Sequence, residues 1–174
     1  MRSFIVQAVK RILIGSPLYY AWVAILLVLI AVGIAGYVKQ LEVGLIATGM
    51  TSYVSWGFYL GNFTFLVGVA AAAVLLIIPA YLYDFGPIKD IVIVGELLAI
   101  SALLMCMMFV TADLGRPDRI WHLIPGLGIL NLPSSMLGWD IVVLNGYLFL
   151  NLFIPGYIIY KAYNEEPVNY RFLL

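Results

Sequence analysis

Residues 18–38 read LYYAWVAILLVLIAVGIAGYV, an uncharged run opened by Pro17 and closed by Lys39. A helix rises about 1.5 Å per residue and the hydrocarbon core of a bilayer is about 30 Å thick, so about 20 such residues suffice to cross it. Three further runs have that length, at about 55–83, 88–112 and 135–160. The second stops at the turn signal Asp84-Phe85-Gly86-Pro87. Between the third and fourth, Pro117, Pro125, Gly126, Gly128 and Pro133 exclude a continuous helix. The whole chain is 64% hydrophobic and 10% charged, which excludes an ordinary soluble domain. Period-two alternation is absent, which excludes a membrane barrel. The expected fold is all-α: a polytopic membrane protein whose four transmembrane helices form one four-helix bundle over residues 18–161. Residues 1–17 pair Phe4, Ile5, Ala8, Ile12 and Leu13 with Arg2, Lys10 and Arg11, which predicts a short N-terminal interfacial helix. The first run is longer than a signal-peptide core and no small-residue cleavage site follows it.

Nine basic and nine acidic residues cancel, so the chain lacks the cationic footprint of a nucleic-acid binder. One cysteine, Cys106, and one histidine, His122, exclude a disulfide framework, a four-thiolate iron–sulfur cluster and a bis-histidine haem. No metal or haem is therefore expected in this chain, and any redox centre must be borrowed from a partner. With four spans both termini share a side, together with Arg2, Lys10, Arg11, Lys89, Lys161 and Arg171, against Lys39, Arg116 and Arg119 opposite. Six against three predicts cytoplasmic termini and an outward-facing loop from Asp113 to Ser134.

In the second span Gly57, Gly61, Thr64, Gly68 and Ala72 recur every three or four residues, which predicts a close helix-packing face. Ser55, Tyr59 and Asn62 form a neighbouring polar stripe. Glu96 and Asp140 are carboxylates inside spans, where each costs several kcal/mol and faces a bundle interior, water or a partner. Asp140, Leu144, Tyr147 and Asn151 share one face of the fourth span, so a polar stripe descends from the carboxylate towards mid-membrane. Two readings stand at this point: interhelical hydrogen bonding, or a ligand and proton site near Asp140 with Glu96 as a separate cytoplasmic-side proton group. Asp113, Arg116, Asp118, Arg119, Trp121 and His122 crowd the ten residues after the third span. Arg116, Arg119 and Trp121 also suit interfacial anchors, and His122 suits either proton exchange or a satisfied interface position. Cys106, among Met105, Met107 and Met108, reads as core packing.

The stretch Asp113-Leu114-Gly115-Arg116-Pro117-Asp118-Arg119-Ile120-Trp121-His122 ends a membrane helix, and Ser134-Ser135-Met136-Leu137-Gly138-Trp139 enters the next. Together with Val54-Ser55-Trp56-Gly57-Phe58-Tyr59, these resemble the NrfD-like polysulfide reductase membrane-subunit family over nearly the whole chain. The resemblance implies an inner-membrane subunit of a respiratory redox complex, without cofactors of its own. Such a subunit exchanges electrons between menaquinone or a related quinone and a periplasmic iron–sulfur partner, itself joined to further redox subunits. It also implies a quinone pocket at the outer end of the bundle. Carried onto this sequence, His122 and Asp140 are the proton-exchanging candidates, Asp113 and Arg116 organise the loop, and Tyr59 and Asn62 are pocket walls by position. Family members have eight or more spans in two bundles, so residues 162–174 are expected to be a cytoplasmic tail or a link to a second bundle outside this sequence. Within the family the sequence looks most like subunits of sulfate-reducer transmembrane redox complexes, which suggests anaerobic respiration and sulfur metabolism.

The expected mechanism places a quinol ring against Trp56, Tyr59, Trp121 or Trp139, with its oxygens meeting His122 and Asp140. Glu96, Tyr147 and Asn151 form a proton pathway below. Two rival readings remain: a proton-coupled transporter or channel lined by Glu96, Asp140, Asn145 and Asn151, and a purely structural membrane anchor.

Overall fold

The computed structural model describes residues 2–54, 57–77, 79–80, 83, 86–124, 126–128 and 132–168. The chain forms two compact units, residues 1–49 and 50–174.

In the first unit α1, Arg2–Leu13, is followed by α2, Pro17–Val43, and a short 3-10 turn, Leu45–Thr48. Pro17 occupies the first turn of α2, where its missing N–H is not needed, and the Ser16 hydroxyl accepts from the Tyr19 amide at 3.3 Å. The last carbonyls of α1 have no helical donors. Two tyrosines of α2 supply them: the Tyr19 hydroxyl donates to the Ile12 carbonyl at 2.7 Å and the Tyr20 hydroxyl to that of Leu13 at 2.9 Å. This pins the short amphipathic helix to the start of the long apolar one. Helix α2 is apolar on every side and exposed along nearly its whole length, the pattern of a lipid-facing span.

The second unit contains α3, Phe58–Ile77, α4, Gly86–Asp113, and α5, Met136–Tyr163, with a 3-10 helix, Pro117–Leu123, between the last two. The three helices alternate in direction. Near one end the Cys106 thiol contacts the Phe63 carbonyl at 3.7 Å, and further along the Tyr147 hydroxyl donates to the Ala70 carbonyl at 2.8 Å. One apolar cluster joins Ala70, Ala102, Leu103 and Leu144; a second, towards the other end, joins Ala80, Val92 and Ile158. Alanines at 70, 73, 99 and 102 are buried, so the backbones of α3 and α4 approach closely through methyl groups.

Among the described residues three helical stretches are long and apolar enough to cross a membrane: Pro17–Val43, Ile91–Asp113 and Met136–Tyr163. The apolar part of α3, Phe58–Ala73, is shorter, although the helix's 20 residues rise about 30 Å. The protein is thus an all-α, multi-pass membrane protein. The small-residue stripe of α3 departs from expectation. Gly61, Thr64, Gly68 and Ala72 are exposed, and a Cβ on Gly61 or Gly68 would meet nothing within 4 Å. The packed face is instead the neighbouring one, with Phe63, Leu66, Val67, Ala70 and Ala73. Bulkier apolar side chains fill the grooves of α4 and α5 better than glycine does.

Candidate functional site

Gly115, in the left-handed region at φ 65°, ends α4 and turns the chain into the 3-10 helix. The loop then folds back so tightly that a Cβ on Gly128 would collide with the His122 carbonyl, a position open only to glycine. The Ser135 hydroxyl accepts from the Gly138 amide at 3.1 Å and starts α5. These local devices set the 3-10 helix across the adjoining ends of α4 and α5.

Beneath it lies an apolar cleft of about 300 Å³. The last two turns of α4 contribute Met107, Val110 and Thr111, followed by Leu114; the 3-10 segment contributes Ile120 and Leu123, with Ile124 after it. Helix α5 contributes Asp140, Ile141, Leu144 and Asn145. The Thr111 and Asn145 side chains satisfy themselves on carbonyls of their own helices, Met107 at 2.7 Å and Ile141 at 2.7 Å. Among the described residues, Asp140 is therefore the one charged group on the cleft wall. A second hollow of about 190 Å³ lies on the other side of Val110, Leu114 and Asp140, bounded by Tyr59, Leu60 and Phe63 of α3 and by Phe109, Asp113 and Leu137. Asp140 faces both spaces.

The structure thus brings Asp140, Asp113 and Tyr59 together. Asp113 has a buried Oδ1 without a hydrogen-bond partner among the described residues, and the Tyr59 ring packs 6.1 Å from that of Phe109. The other sequence candidates lie apart from the cleft wall. His122 is exposed and stacks on Trp121, with ring centroids 3.8 Å apart. Trp139 is exposed on α5, and Asn62 donates to the Phe58 carbonyl of its own helix at 2.8 Å. Trp56 lies outside the described residues. Arg116 pairs with Asp118 at 3.2 Å, so the loop ion pair that forms is not one with Asp113. The hydrogen bond from Arg116, with its charge adding to it, holds the Asp118 carboxyl below the usual carboxylate range, and the same bond pushes the Arg116 guanidinium up. Glu96, Tyr147 and Asn151 lie deeper, between and within the apolar clusters. The residues not singled out from sequence are apolar, plus Thr111. The available signal was the i, i+3, i+4, i+7 face of Met107, Val110, Thr111 and Leu114 next to a loop rich in polar groups.

Residues 46–173 match the family described as polysulphide reductase, NrfD. The chain is 28% identical over 131 residues to a putative dimethyl sulfoxide reductase membrane subunit of Halobacterium salinarum, covering 75% of this chain and 29% of the relative. It is 29% identical over 119 residues to a subunit of the selenate reductase of Mesobacillus selenatarsenatis, covering 68% of this chain and 27% of the relative. An Hdr-like menaquinol oxidoreductase integral membrane subunit of Archaeoglobus fulgidus is 22% identical over 141 residues, 81% of this chain and 34% of the relative. The chain therefore spans about a third of the length of these curated relatives or less. No solved structure matches it. An all-α membrane chain with a polar loop turned over the ends of two packed helices, matched over residues 46–173, belongs to the polysulphide reductase NrfD family.

Proposed function

We propose that this chain forms the quinone-exchanging part of a membrane subunit in a respiratory redox complex, with menaquinone or a related quinone docking in the cleft at the Asp140 end of α4 and α5. The carrying observation is the cleft itself: apolar apart from Asp140 and the self-satisfied Thr111 and Asn145, it suits a flat ring and a hydrocarbon tail. The family membership and the relatives described as reductase and menaquinol oxidoreductase membrane subunits support the same reading.

Oxidation of a quinol releases two protons and two electrons. Asp140 is positioned to take a proton from an oxygen in the cleft and faces the hollow shared with Asp113, so a proton has a polar neighbour to move on to. His122, on the exposed side of the 3-10 helix, is the second exchanging group and connects the cleft's cover to water. The electrons pass to an iron–sulfur partner docked over the loop. The balance of Lys and Arg along the sequence supports reading this loop as periplasmic, in the inner membrane, and the two ends of the segment as cytoplasmic. Glu96, Tyr147 and Asn151 extend the proposal inward, as the polar groups through which charge moves when quinone chemistry is coupled to ion movement.

The test is a titration of the purified complex with a quinol analogue, followed by tryptophan fluorescence. Wild type shows saturable quenching. Asp140→Asn shifts the midpoint upward about tenfold, the loss of roughly one charge-assisted hydrogen bond. Because Trp121 stacks on His122, the His122→Ala variant is compared by midpoint rather than amplitude. Equal midpoints in all three proteins, with assembly intact, would remove the quinone from this cleft and leave an anchoring role.

A further inference from the structure

A second polar site lies in the middle of the packed unit. Glu96 is 1% exposed, and neither carboxylate oxygen has a hydrogen-bond partner among the described residues. Asn151 is 4% exposed; its amide nitrogen donates to the Tyr147 carbonyl at 2.9 Å, while Oδ1 has no partner among them. An ionised carboxylate without a partner costs far more there than any packing gain recovers, so Glu96 holds either its own proton or a cation that competes with it.

The helix register brings these groups to one level. Leu103 of α4 and Leu144 of α5 share an apolar cluster. Glu96 lies seven residues along α4 from Leu103, and Asn151 seven residues along α5 from Leu144, in the same spatial direction because the helices are antiparallel. Both steps cover about 10 Å. From α3, the contact of Phe63 with Cys106 sets a register in which Ala73 falls opposite Glu96, ten residues on along each helix. Ala73 is buried and contributes only a methyl group. Four residues after Asn151, Pro155 is buried inside α5 and lacks the N–H that an α-helix would direct at the Asn151 carbonyl.

The register brings to this level two carboxylate oxygens, one amide oxygen and the Asn151 carbonyl, which Pro155 leaves without its usual donor. With Glu96 ionised all are acceptors, and no free donor joins them among the described residues. A water molecule would leave the carboxylate's charge uncompensated. A divalent ion would leave excess positive charge in the membrane, and no group of three His, Cys, Asp or Glu is found among the described residues. Carboxylate and amide oxygens beside a carbonyl released by a proline within a helix suit a small monovalent cation. No lysine or arginine among the described residues pairs with Glu96, and Tyr147, the titratable side chain on the adjoining turn of α5, is held by the Ala70 carbonyl.

We propose that Glu96, the Asn151 amide oxygen and the Asn151 carbonyl opposite Pro155 form an intramembrane sodium-binding site between α4 and α5. The site does not depend on the quinone cleft, and its test involves no turnover. Native membranes carrying the full complex are treated at one fixed pH with dicyclohexylcarbodiimide, which modifies accessible protonated membrane carboxyls, and modification of the Glu96 peptide is followed by mass spectrometry. Glu96→Gln identifies the signal. Sodium chloride slows modification of wild type in a saturable way, whereas potassium and choline chloride at the same ionic strength do not. In Asn151→Leu the sodium concentration needed for half protection rises about tenfold or more. Equal modification in all three salts, or none in choline chloride, overturns the site. Unchanged sodium protection in Asn151→Leu overturns the assignment of Asn151 to it.

Discussion

Two polar regions lie along α4 and α5, and they solve the problem of polarity in a membrane differently. At the loop end Arg116 pairs with Asp118, Trp121 stacks on His122, and Thr111 and Asn145 bond to their own helices. Asp140 lines both the cleft and the hollow beside it, and Asp113, with a buried oxygen left without a partner among the described residues, borders the hollow. In the middle, the side-chain oxygens of Glu96 and Asn151 have no hydrogen-bond partners among the described residues. The difference shows where ligands belong. Polar groups that satisfy one another hold a shape, and those left over in an enclosed place define what must bind.

Breaking the shape at the loop end has the largest expected effect. Gly128→Val drives a side chain into the His122 carbonyl, displaces the 3-10 helix and abolishes saturable quinol-analogue quenching. Retention of wild-type binding would separate the loop from the cleft. Next, the two regions should respond oppositely to removal of their carboxylates. Asp140→Asn is expected to weaken the analogue about tenfold and leave the thermal midpoint in detergent unchanged. In sodium-free buffer Glu96→Leu removes a buried group left without partners and is expected to stabilise the unit by about 1–3 kcal/mol, with no change in analogue binding. A fall in its midpoint would mean that Glu96 is structural. Ala99→Leu, one turn along α4 from Glu96, acts in the opposite sense: the buried methyl contact is overfilled, at a cost of about 1–3 kcal/mol in the same melt.

The smallest effect belongs to the exposed pair. The folded-state pKa of Asp118 is depressed by Arg116, so its contribution to stability is full above the unfolded value of 3.8 and disappears as pH falls through the lower folded value. Both side chains are exposed, so salt screens the pair. Asp118→Asn should leave the melting midpoint at neutral pH unchanged in about 0.15 M salt. A clear loss there would show that the pair anchors the loop.

Much of the architecture was legible before any coordinates. Uncharged runs of about 20 residues can only be helices in lipid, and Pro117 together with the glycines after it broke the chain where the 3-10 helix and loop lie. Asp140 and the descending face through Leu144, Tyr147 and Asn151 were also legible, because residues three and four apart on a helix share a side whatever surrounds them. The packing face of α3 was not. Gly61, Thr64, Gly68 and Ala72 have the spacing of an interface, but so do Phe63, Leu66, Ala70 and Ala73 beside them. In a helix apolar all round, composition does not distinguish one face from the next.

The sequence by itself determined that this chain lies in a membrane as helices, to which family it belongs, and which few carboxylates are too costly there to be incidental. Those are properties of single segments, set by transfer free energy and helical periodicity. Tertiary structure alone decided that Asp140 faces a cleft while His122 stacks outside it, and that the helix register sets Glu96 and Asn151 at one level. Such juxtapositions depend on the register between antiparallel helices, fixed by contacts such as Cys106 with Phe63 and Tyr147 with Ala70 between residues 43 and 77 positions apart.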